Sequence, residues 1–74
     1  MRPEIGKTYV TMLWGQKDFR RVLDVYEGDG GLEVSYGFWA GGCWHNKDNW
    51  CRLDYWKVLG FRLATEAELA ERET

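Results

Sequence analysis

The chain has 74 residues, a net charge of −2, and five Trp, four Tyr and three Phe. That length allows one domain with a small core, and no apolar run reaches the roughly 20 residues that a membrane-spanning helix needs. Residues 1–65 carry nine Lys/Arg against eight acids, and the acidic excess lies in Glu66 to Thr74. This charge balance excludes the strong basic surplus through which dedicated duplex-binding proteins gain affinity.

The opening MRPEIGKTYV has no long apolar stretch of the kind found in secretory leaders,. A cytoplasmic protein with reduced cysteines is therefore expected. Lys7 to Gly15, KTYVTMLWG, is rich in β-branched and aromatic residues and predicts a first strand,. GQKDF reads as a polar turn. Phe19 to Glu27 and Gly31 to Ala40 predict the second and third strands, joined at EGDGG by a tight hairpin,. In the third strand Leu32, Val34, Tyr36 and Phe38 alternate with Glu33, Ser35, Gly37 and Trp39, so the first set is expected to face the core,.

AGGCWHNKDN follows as a loop, and Trp50 to Ala64 is read as strand with a bend at Gly60 before a short last strand, Phe61 to Leu63,. Parity sorts Cys51, Leu53 and Tyr55 inward and Trp50, Arg52, Asp54 and Trp56 outward. The sequence divides into a β domain over residues 1–64 and a short acidic helix or frayed tail over 65–74. In that tail Thr65 and Glu68 have the spacing of a capping box, and Leu69 is available for docking,.

Four or five short strands with tight turns predict a mainly β fold, a small antiparallel barrel or strongly bent sheet with a short C-terminal helix. The stretch RRVLDVYEGDGGLEVSYGFW resembles SH3-like and Tudor-like barrels in layout: Val22-Leu23-Asp24-Val25, a turn, then Val34-Ser35-Tyr36. The ending FRLATEAELAE is similar to those of short phage and mobile-element proteins. The resemblance implies a binding module, and with the second likeness a phage-type accessory or anti-defence inhibitor.

GGCWHNKDNWC concentrates both cysteines and the single histidine. Cys43, His45 and Cys51 are one ligand short of a tetrahedral zinc site, so no metal or other cofactor is assigned, and a metal-binding domain remains an alternative. A Cys43–Cys51 disulfide is not expected in a reducing compartment. Catalysis is not expected either: no carboxylate pairs with His45, and no glycine motif precedes a Lys and a helix start. The remaining expectation is binding through Trp39, Trp44, His45, Lys47, Trp50, Arg52 and Trp56, since Trp and Arg dominate the energetic centres of interfaces. The expected partner is another protein. A second copy of the chain is an alternative, and so is single-stranded nucleic acid, because bases stack on aromatics interleaved with cations. A second buried cluster is the competing role for these tryptophans, because small domains recruit aromatics for buried area.

Overall fold

The computed structural model describes residues 2–73. In chain order they form β1 (Thr8–Leu13), β2 (Gln16–Gly28), β3 (Gly31–Ala40), β4 (Cys43–His45), β5 (Trp50–Arg52), α1 (Leu53–Val58), β6 (Arg62–Leu63) and α2 (Glu66–Glu73). The strands make one antiparallel sheet in the order β4-β3-β2-β1-β6, and β5 also pairs with β3. The path does not close, so of the two expected forms the bent open sheet is the one adopted.

The hairpins follow from where positive φ is tolerated. Leu13 pairs with Gln16 around Trp14 (φ 55°) and Gly15 (φ 77°). The expected polar turn GQKDF is therefore a correction: the turn lies two residues earlier, and Gln16, Lys17 and Asp18 already belong to β2. The expected loop AGGCWHNKDN is a second correction. Gly41 (φ 61°) and Gly42 (φ 80°) supply the two left-handed residues of a tight turn, and Cys43 to His45 return along Ala40 to Phe38,. The EGDGG hairpin forms as expected, with Gly28 paired to Gly31. A bulge between Val22 and Asp24 shifts the β2–β3 register and bends the sheet,.

The largest correction concerns residues 50–64. Strand ends at Arg52, and Leu53 to Val58 turn into helix α1. Leu53 and Trp56, three residues apart, share one face of that helix and are buried, whereas Tyr55 is exposed,. Asp54 in the first turn and Lys57 in the last complement the helix dipole,. Six residues are too few to hold a helix unaided. Trp56 holds it against the sheet, among Tyr9, Val22, Val34 and Leu53.

Residues opposite one another in an antiparallel pair point to the same side of the sheet. One side carries Tyr9, Val22, Tyr36 and Val34 under α1. The other carries Val10 beside Phe19, both buried, with Lys17 and Arg62 on the same side. These two cations reach Glu68 of α2. Arg62 Nη1 and Nη2 each donate to its carboxylate at 2.8 Å, and Lys17 Nζ lies 3.2 Å away. The capping box is formed in full: Thr65 N–H donates to Glu68 Oε1 (3.0 Å) and Glu68 N–H to Thr65 Oγ1 (3.2 Å),. The helix thus joins the sheet through buried Glu68 more than through half-buried Leu69.

The Arg62 guanidinium, the Thr65 N–H and the Lys17 ammonium hold the Glu68 carboxyl far below the usual carboxylate range,. A depressed carboxyl stabilises the fold above its unfolded value of about 4.3, and that stabilisation fades as the pH falls further. Glu68→Gln is therefore expected to lower Tm at neutral pH. The gap to wild type should narrow from roughly pH 4 downward, as thermal melts across the acid range will show.

Candidate functional site

Away from α2, the side of the sheet opposite α1 is open. Continuing the β2–β3 register one residue beyond Arg20–Phe38 sets Phe19 beside Trp39, and Trp39 pairs with Trp44 across β3 and β4. The row Val10, Phe19, Trp39, Trp44 therefore runs from buried at β1 and β2 to half-buried at the far edge. Trp39 and Trp44 meet edge to face, centroids 5.5 Å apart at 69°. The Arg21 guanidinium lies 4.2 Å over the Trp44 ring, an arrangement that attracts through the ring quadrupole.

Next along β3 comes Gly37, opposite Arg21. A side chain there would collide with Asn46 Oδ1, so the Gly37 position is what lets the loop after β4 fold over the strand,. Asn49 Nδ2 donates to His45 O (2.8 Å) and Tyr36 N–H to Asn49 O (3.0 Å), which pins that loop at its far end. The chain then resumes as β5, and Trp50 stands opposite Ser35 on the same side as Trp39 and Trp44. It is 56% exposed. Four residues of β3 separate the Ser35 and Trp39 positions, about 13 Å. Arg52 is on this side too. Its Nη2 donates to Gly30 O, folding the side chain onto the β2–β3 turn.

The expected residues thus divide. Trp39, Trp44, Trp50 and Arg52 share one sheet surface, and Lys47 is exposed in the loop beside it. His45 does not belong there: it pairs with Phe38 on the opposite surface, rings stacked at 5.0 Å and 19°. Trp56 does not belong there either. It is 4% exposed, and the expectation that it points outward fails because its segment is helical. Sequence parity missed Arg21, and it missed Asp24 and Tyr26, which share the open surface opposite Ser35 and Glu33. It also missed Trp14, 99% exposed at the β1–β2 turn. Arg21 and Arg52 are matched by Asp24 and Glu33, so the surface is amphipathic and close to neutral.

The same register separates the cysteines. Cys43 faces Ala40 and Cys51 faces Val34, six residues along β3, or about 20 Å,. A disulfide between them is out of reach, and a single metal ion cannot take Cys43, His45 and Cys51 from one chain. Burial pushes the Cys51 thiol up, which keeps it protonated and a poor nucleophile,. Among the described residues no helix is long and apolar enough to cross a membrane. Comparison of the chain with family models, curated proteins and solved structures returns no match.

Proposed function

We propose that the chain is a non-enzymatic protein-binding module whose contact surface is the open sheet face bearing Trp39, Trp44 and Trp50 with Arg21 and Arg52. The observation that carries this reading is Trp50: a large ring left over half exposed, on the same side as an edge-to-face tryptophan pair with an arginine stacked on it. Aromatic and Arg side chains on a rigid sheet give large contact area at low entropic cost. The balance of Arg21 and Arg52 with Asp24 and Glu33 suits a mixed-charge protein surface better than a phosphate backbone. Such a module acts by occupying its partner, as an accessory or inhibitor protein does.

Trp50→Ala is expected to abolish capture of the partner from host lysate while the unfolding free energy changes by no more than about 0.5 kcal/mol, as for other surface sites. Capture unchanged by Trp50→Ala and by Arg21→Glu overturns the reading. A salt-sensitive shift of single-stranded DNA or RNA that the same variants remove would replace it with nucleic-acid binding.

A further inference from the structure

We propose that Cys43 and His45 are half of a tetrahedral zinc site, completed by the same two residues of a second copy across paired β4 strands. The proposal goes beyond the protein-binding reading and uses the opposite side of the sheet, so variants at Trp50 leave it untouched.

Geometry within one chain supplies the first half. The Gly41–Gly42 turn sends the chain straight back, and Cys43 and His45, two residues apart on a strand, project to one side,. Their donor atoms converge: Cys43 Sγ lies 3.6 Å from His45 Nε2. A tetrahedral ion with Zn–S near 2.3 Å and Zn–N near 2.0 Å separates its sulfur and nitrogen ligands by about 3.5 Å. The spacing therefore already suits one ion, and turning His45 Nε2 and Cys43 Sγ off the Ala40 carbonyl frees both for it. Both side chains are exposed, so an ion between them keeps two open positions. Among the described residues no third His, Cys, Asp or Glu closes the set.

The topology supplies the second half. β4 ends the sheet path. Two β4 strands paired antiparallel about Trp44 set each Cys43 opposite the second copy's His45, on one side of the joined sheet. Directly opposed residues have Cβ atoms about 5 Å apart. Two thiolates and two imidazoles then surround one position, and the pairing is isologous, as a two-fold dimer requires. In the metal-free chain His45 Nε2 donates to Ala40 O at 3.0 Å and Cys43 Sγ points at the same carbonyl at 3.7 Å. Loading exchanges these protons for the metal. Each thiol releases its proton to solvent, each neutral imidazole gives up its Nε2 proton and takes one from solvent on Nδ1, and the two thiolates neutralise Zn²⁺.

The test titrates Zn²⁺, and separately Co²⁺, into the intact reduced chain. Native mass spectrometry is expected to show two chains with one zinc, reverting to monomer with chelator. Co²⁺ should give strong visible absorption from tetrahedral geometry and a thiolate charge-transfer band. Cys43→Ser and His45→Ala should each lose the metal-dependent dimer, and Cys51→Ser should retain it. Melting curves of the metal-free variants check that these exposed sites leave the fold intact. Weak octahedral cobalt absorption, one zinc per single chain, a dimer indifferent to chelator, or binding that survives Cys43→Ser each overturns the proposal.

Discussion

Trp56→Ala is expected to cost about 3–5 kcal/mol, the range for deleting a large buried ring. Trp56 is where α1 meets the sheet. Its ring lies 4.2 Å from Phe61 in a stacked arrangement, 5.9 Å from Tyr9 edge to face and 6.0 Å from Tyr36. Removing it empties the junction of β1, β3, α1 and the segment entering β6, and it frees a six-residue helix that has no stability of its own,. A domain of this size has total stability of roughly 4–11 kcal/mol. The variant should therefore unfold over a broad range at or near room temperature by circular dichroism. Trp56→Phe keeps an aromatic ring and should lose much less. A native-like melt for Trp56→Ala would remove it as the anchor of the fold. The contrast with Trp50→Ala separates a buried tryptophan from an exposed one.

Asp18→Ala is expected to cost about 2 kcal/mol, between the small loss for an exposed ion pair and the larger one for a buried pair, because Asp18 and Arg20 are only partly buried,. Arg20 is 13% exposed, with its guanidinium 4.3 Å over Tyr36 and 4.9 Å over Phe61. Its Nε donates to Asp18 Oδ2 at 3.1 Å and its Nη2 lies 3.0 Å from the same oxygen, and its Nη1 is buried without a partner among the described residues. Without Asp18 a charge stays between aromatic rings with no carboxylate to offset its desolvation. Replacing both partners tells desolvation from simple loss of contact. Asp18→Ala combined with Arg20→Met should be more stable than Asp18→Ala alone, because the apolar side chain fills the slot without a charge. Chemical denaturation of the four proteins in the cycle measures this, and a double variant less stable than the single one contradicts it.

Some of this molecule was legible without coordinates because the signals were local. Alternation in Gly31 to Ala40 placed Val34 and Tyr36 on the core side and Trp39 on the other. Asp-Gly marked a hairpin, and Thr65 with Glu68 marked the start of α2. Each depends on a few adjacent residues whose backbone preferences agree with the final fold. The Gly-Gly turn before Cys43 is an equally local signal, and the expected loop over AGGCWHNKDN overlooked it.

What the sequence by itself determined, then, is the first three strands, the hairpin at EGDGG, the capped C-terminal helix and the lack of a strong basic surplus. The tertiary structure decided the sides. The one-residue bulge between Val22 and Asp24 moves Arg21 from a position opposite Phe38 to one opposite Gly37, and so from the core side to the open surface,. Leu53 to Val58 is helix because Trp56 finds Tyr9, Tyr36 and Phe61, partners from 5 to 47 residues away in sequence. Cys43 and Cys51, eight residues apart in the chain, end on separate stretches of β3 because the returning strand is interrupted between His45 and Trp50. Side-chain direction in a sheet alternates with every residue, so one bulge or one turn of helix reverses every assignment beyond it. Which tryptophans are buried and which stay exposed is fixed only when the long-range contacts are made.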